Sequence, residues 1–298
     1  MSSPSIRPAV ACLFLLFTVF TQRPGSDTKP SLRVAVVGFG PGAPPAIAPV
    51  LTSALGESGR VLIVEPSLFE PVIVAMGYQG SLNMSLDEAR RLGSAIGCDF
   101  FVIGKAEVLT RSEHANESHQ EALVAIMVVD GRAGTLAVFD LLAGEAGSPE
   151  KAVASVSRAL AARAPEYVDR MLKFRAARES LMSSRPLEKP EGENVEEMPL
   201  DGSPQARGFR PPEFLSRVKP VYTAEAERSD VNATVEVMVV LRSTGEVGEA
   251  VITRWAGFGL EDSALRAIRQ LKFNPATRNG QPISIRAMIR YNFRRVGQ

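Results

Sequence analysis

Apolar and polar positions alternate most regularly near the C-terminus. From Ala233 to Leu241, Val235, Val237, Val239 and Leu241 share one parity, with Thr234, Glu236 and Met238 on the other. A period of two predicts a half-buried strand. Arg242 to Glu246, with Gly245 in it, reads as a polar turn, and Val247 to Trp255 as a returning strand. Leu260, Ala264, Ala267, Ile268 and Leu271 form an apolar stripe at helical spacing. Glu261 and Asp262 sit in its first turn and Lys272 at its end, where the helix dipole favours them. Phe273-Asn-Pro275 stops the helix, because proline disfavours a helical residue before it. Asn279-Gly280 predicts a tight turn. Ile285, Ala287, Ile289, Tyr291 and Phe293 then alternate with Arg286, Met288, Arg290, Asn292 and Arg294 in a last half-buried strand.

Upstream, Leu32 to Phe39 and Val61 to Glu65 read as buried strands around a helix from Pro45 to Ser58. Leu68 to Met76 and Ser85 to Ile96 read as helices, the second opened by the capping box Ser85-Leu-Asp-Glu88. Strands follow at Phe100 to Leu109, Ala122 to Asp130 and Thr135 to Leu142, the last two joined by a hairpin turn over Asp130 to Gly134. Ser148 caps a long helix to about Ser183. This order predicts an α/β domain with a mixed sheet. The expected fold class is therefore α+β / α/β. The expected domains are a signal or N-terminal anchor with connector (1–31), an α/β domain (32–183), an acidic disordered linker (184–210) and a C-terminal β-β-α-β domain (211–298).

Composition narrows the function little. A formal net charge of +1 gives no general attraction to nucleic acid. After Asp262 there is no acidic residue, while Arg266, Arg269, Lys272, Arg278, Arg286, Arg290, Arg294 and Arg295 are basic. That surplus reads as a solvated face with charge-protected strands, or as attraction to an acidic partner. The linker leans the opposite way, with Glu188, Glu191, Glu193, Glu196, Glu197 and Asp201 against Arg185, Lys189, Arg207 and Arg210, so folding back onto the basic unit is an open hypothesis. Ala9 to Phe20, after Arg7, is an apolar run of about a dozen residues. A spanning helix needs roughly 20, so an export signal or short tether is expected, and a periplasmic location. Cys12 lies in that run, and Cys98 reads as a small apolar filler.

Residues 211 to about 295 resemble the TonB C-terminal domain. The matching residues are Pro220-x-Tyr222 with Ala224 and Ala226, the strand at Val235 to Leu241, Gly245, Asp262 with Ala264-Leu265, Phe273-Asn-Pro275-Ala276, Asn279-Gly280-Gln-Pro282 and Phe293. Thr223 stands where the family has proline, and Trp255-Ala-Gly257-Phe-Gly259 replaces a small Ser-Gly stretch. The α/β part resembles the curli-secretion lipoprotein family and the TolB N-terminal domain through Val34-Ala-Val-Val37, Ser58-Gly-Arg-Val-Leu-Ile-Val-Glu65 and Ile96-Gly-Cys-Asp-Phe-Phe-Val-Ile-Gly104. The first resemblance implies binding of a short extended segment of an outer-membrane receptor or periplasmic protein, by addition to a free sheet edge. The expected edge is Ile285 to Phe293, with Arg286, Met288, Ile289, Arg290 and Asn292 as contacts and Trp255 as a further one. Family transducers also carry a full N-terminal span with a histidine. The short His-free run here leaves energy-dependent transport and a plain scaffold role side by side.

Two other readings stay open. Gly38-Phe-Gly40-Pro-Gly42-Ala43 fits a dinucleotide fingerprint with Glu65 as ribose ligand, although Pro41, Pro44 and Pro45 remove amides a phosphate needs. The second is an oligomeric secretion accessory acting through the α/β domain. His114 and His119 form the sole histidine cluster, in an expected polar loop with weak metal potential. The Asn-x-Ser/Thr triplets at Asn83, Asn116 and Asn232 carry no expected role. No catalytic residue, cofactor or metal is expected, and no enzyme activity.

Overall fold

Residues 32–114, 117–183, 194–200 and 202–295 are described by a computed structural model. The apolar run at 9–20, Cys12, Asn116, residues 184–193 and the side chain of His114 lie outside the described residues. β1 (Leu32–Gly38) leads through α1 (Ile47–Gly56) to β2 (Val61–Ile63), parallel beside it. Then come α2 (Pro66–Ala75), the short β3 (Met84–Ser85) and α3 (Leu86–Ile96). β4 (Phe100–His114), β5 (Glu117–Asp130) and β6 (Leu136–Ala146) form an antiparallel meander, closed by the long α4 (Pro149–Ser183). The sheet order is β2-β1-β4-β5-β6, with β1 parallel to β4. The capping box at Ser85 forms as expected, and Gly97 ends α3 in the left-handed conformation.

Both faces of this sheet are buried. Phe100, Val102, Val124, Ile126 and Val128 face α1 and α4, whose Leu51, Leu55, Val156, Leu160 and Val168 complete one core. Phe101, Ile103, Ala125, Met127 and Val129 face the other way. That two-sided burial explains the unbroken apolar runs in the sequence. α2 and α3 pack on this second face, and the C-terminal half supplies the rest of its core.

The C-terminal half begins with β7 (Val195–Glu197), a 3-10 turn (Pro204–Ala206), β8 (Phe209–Arg210), β9 (Glu213–Ser216) and α5 (Ala224–Arg228). β10 (Ala233–Leu241), β11 (Val247–Trp255), α6 (Leu260–Arg269), β12 (Lys272–Asn274), β13 (Ala276–Arg278) and β14 (Gln281–Phe293) follow. The main sheet runs β3-β11-β10-β14-β13-β8, with β7 parallel on β14. Asn279 and Gly280, at φ 51° and 84°, make the predicted turn into β14.

Three expectations change. The acidic stretch expected to be a disordered linker is folded from Asn194 to Arg210, apart from the undescribed Asp201, because its carboxylates meet arginines. The polar loop around His119 is strand, since the β4–β5 ladder runs out to the His114–Glu117 pair. Trp255 is only 1% exposed; its indole N–H donates to the Gly134 carbonyl at 2.9 Å, so the ring serves the core and not an external partner.

Asn83 joins the halves at the C-terminal end of β11, beside Thr234 of β10. Its side-chain amide accepts from the Thr234 N–H (3.0 Å) and donates to the carbonyls of Thr234 (2.8 Å) and Trp255 (2.7 Å). It thus works as one more peptide unit in the ladder, and β3 continues the pairing at Arg254 and Trp255. Replacing Asn83 by Ala leaves buried backbone groups unpaired and is expected to lower unfolding stability by about 1–3 kcal/mol, checked by denaturant unfolding.

Glu261, in the first turn of α6, accepts the amides of Ala256 (2.5 Å) and Gly257 (2.7 Å) and so ties the preceding loop to the helix. Burial raises its pKa despite those bonds. The folded chain therefore holds the Glu261 proton more tightly than the unfolded chain, and this contribution fades as pH rises through the raised value. Across a pH series of unfolding curves, Glu261→Gln is expected to gain on the native chain as pH rises from the ordinary carboxylate range. Glu261→Ala is expected to lose about 1–3 kcal/mol.

Candidate functional site

β14 carries the expected edge residues. It pairs with β10 without a bulge, from Ile285 opposite Leu241 to Phe293 opposite Ala233. Ile285, Ala287 and Phe293 are buried and Ile289 and Tyr291 half-buried, while Arg286, Met288, Arg290 and Asn292 face solvent. Arg290 holds Glu236 of β10 at 2.6 Å, and Asn292 accepts from the Thr234 hydroxyl at 2.8 Å. Arg286 holds Glu197 at 2.6 Å. Met288 is half exposed and makes no polar contact.

The far side of β14 is only partly covered. β13 pairs with Gln281 to Ile283, and β7 with Ser284 to Arg286. The Met198 amide donates to the Arg286 carbonyl at 3.4 Å, so the even-numbered residues turn their backbone groups to this side. Among the described residues no strand pairs with β14 beyond Arg286 there. The N–H and C=O groups of Met288, Arg290 and Asn292 therefore form an open rim. Beside it lies a cavity of about 230 Å³, lined by Met198, Phe214, Leu271, Ile289 and Tyr291 among others. The Arg217 guanidinium lies over Phe214 at 4.1 Å, so the apolar shelf has a cationic border. Burial raises the Tyr291 phenol's pKa, keeping it a proton donor at neutral pH.

The other long edges are blunted in places. β11 pairs on its outer side with β3 at Arg254 and Trp255 only, and two register shifts interrupt its ladder to β10. On β6, the Leu141 N–H is held by the Asp140 carboxylate at 2.9 Å, and that carboxylate is fixed by the Tyr167 hydroxyl at 2.7 Å. Bulges that bend an edge, and a side chain that caps an outward amide, make pairing there less favourable.

The other expected sites fare differently. The Gly38–Ala43 loop borders a cavity of about 470 Å³ with Phe69, Glu70, Tyr78 and Ile103. The Ala43 and Ile47 amides bond to Gly40 and Pro44 carbonyls, and α1 starts only at Ile47. These amides are spent within the loop rather than offered to a phosphate. His119 pairs across the ladder with Arg111, and among the described residues no three metal-ligating side chains converge.

Residues 218–294 match the family model of the Gram-negative bacterial TonB protein C-terminal. This segment is a TonB C-terminal domain. The solved TonB C-terminal domain of Pseudomonas aeruginosa is similar at 17% identity, covering 29% of this chain and 89% of its own, with a TM-score of 0.26. The hypothetical protein CT253 from Chlamydia trachomatis is similar at 13% identity over 46% of this chain and 97% of its own, TM-score 0.35. Lipoprotein GNA1162 from Neisseria meningitidis is similar at 14% over 47% and 99%, TM-score 0.33. No curated protein matches the chain.

Both departures of this TonB domain from its family's pattern face the N-terminal half or the stretch that meets it. Thr223 caps α5 by accepting the Ala226 amide at 3.2 Å and donates to the Phe258 carbonyl at 2.6 Å. Phe258, at φ 56°, packs against Phe139 of β6 in a tilted arrangement with ring centroids 4.7 Å apart. The open rim itself makes a simple prediction. In hydrogen exchange, the amides of Met288, Arg290 and Asn292 are expected to exchange faster than those of Ile289 and Tyr291, which face β10.

Proposed function

We propose that this chain is an exported, TonB-like envelope protein that receives a short extended segment of an outer-membrane or periplasmic partner along β14. The observation that supports it best is the open rim at Met288, Arg290 and Asn292 next to an apolar cavity. An added strand gains main-chain hydrogen bonds there, and every second side chain of the guest reaches the shelf of Phe214 and Leu271. Met288 and Arg290 lie beside the incoming backbone, and Asn292 marks the far end. Ile289 sets the floor of the groove. Arg286 is already engaged by Glu197. The 9–20 run directs export and leaves the chain in the periplasm, freed or tethered at the inner membrane. In this reading the protein supports transport across the outer membrane and has no catalytic step of its own.

Proline at Ile289 breaks the β10–β14 ladder, because that amide faces β10. Proline at Met288 removes an outward amide instead, and edge positions tolerate that. A photo-crosslinking residue at Arg290 in cells is expected to capture an envelope protein. Met288→Pro is expected to reduce that capture at least about tenfold, the loss of one or two strand hydrogen bonds, without changing the unfolding transition. Undiminished capture by Met288→Pro rejects this edge.

A further inference from the structure

β7 lies on the edge that the proposed partner needs. It covers Ser284 to Arg286 in parallel register, and the free rim begins immediately after it. Few groups hold it there. Val195 and Glu196 are half-buried and Glu197 is exposed. Arg278 grips Glu196 through Nε at 2.8 Å and Nη2 at 2.5 Å, both donating to the same carboxylate oxygen. The third nitrogen of the same guanidinium donates to the carbonyls of Gln205 (2.9 Å) and Arg207 (3.4 Å). One arginine therefore pins both the acidic strand and the turn after it. Arg286 holds Glu197, and the Met198 amide closes the contact on the Arg286 carbonyl. Met198 then forms part of the cavity wall beside the rim.

We propose that β7 is an internal competitor on β14: an electrostatic latch that occupies the near part of the rim and limits how far an incoming strand can zip. The proposal rests on the strand-addition reading of the same edge. With β7 seated, the guest has only the stretch beyond Arg286. With β7 released, the Arg286 backbone and guanidinium join the rim, and Met198 leaves the cavity wall. The latch is held by carboxylate–guanidinium bridges that reach solvent, so salt loosens it. A tethered strand competes at high effective concentration, and the apparent affinity of any guest falls by the fraction of time the latch is open.

The test uses the full chain and a fluorescently labelled synthetic peptide copying residues 194–200. The native chain is expected to bind it weakly, because its own segment fills the place. The double variant Glu196→Gln/Glu197→Gln weakens the tethered copy but not the peptide, and is expected to bind the peptide roughly tenfold more tightly. Hydrogen exchange at the Met198 amide is expected to quicken in that variant while the β10 amides stay protected. Equal peptide binding by native and double-variant chains, or unchanged Met198 exchange, overturns the latch. Either result leaves the Met288→Pro capture experiment standing, since that variant probes the stretch β7 does not cover. The two ideas therefore fail separately.

Discussion

The requirement that governs this molecule is the covering of the second face of the five-stranded sheet. Met127, Val129 and Ala125 point away from α4 and need a partner surface. α2 and α3 supply part of it. The remainder comes from Trp255, Ala256 and Phe258 in the C-terminal half, with Phe139 and Leu141 packed around them. Gly257 passes so close that a Cβ would fall 2.6 Å from the Met127 methyl and 2.8 Å from the Phe139 ring. A side chain here would push both groups aside and strain a backbone at φ of +75°, a conformation that suits glycine. The departures at Thr223 and Trp255 to Gly259 thus have a physical cause. They reshape one flank of the C-terminal domain to seat on a neighbouring sheet.

Electrostatics follows the same seam. Glu121 of β5 is only 2% exposed, and its carboxylate is shared by Arg111 of β4 and Arg228 of α5. A buried charge is tolerated when opposite charges and hydrogen bonds surround it. Glu88 of α3 meets Arg254 of β11 at 3.0 Å. Further out, Arg278, Arg286, Arg290 and Arg295 each face a carboxylate of this chain. Much of the basic surplus after Asp262 is thereby matched internally. It reads as glue between segments distant in sequence more than as a lure for acidic partners.

What the sequence disclosed depended on periodicity. β10 and β11 begin and end where their alternation does, and α6 follows its apolar stripe. The capping box at Ser85 and the Asn279-Gly280 turn are short, but each has a specific backbone requirement, so both were legible. β8, β9, β12 and β13 are two to four residues long and leave no period to detect. β7 was hidden by composition. Glutamates near proline and glycine describe solvated chain until arginines some 80 residues away are placed beside them. Asn83 looked incidental for the same reason, as its partners lie 151 and 172 positions on. Trp255 was ambiguous because an indole between a strand and a helix serves a core or an interface equally well. On the rim, alternation told which side chains of β14 face outward. Which backbone groups lack partners required the register of three other strands.

The short stop that β3 places on the end of β11, together with the two register shifts in that strand's ladder, has one more effect. A flat sheet open at both ends is a template for endless stacking, whereas the β11 side of this one is kinked and partly plugged. Copies that met edge to edge would find a poor seat there, which works against growth of these sheets into fibres.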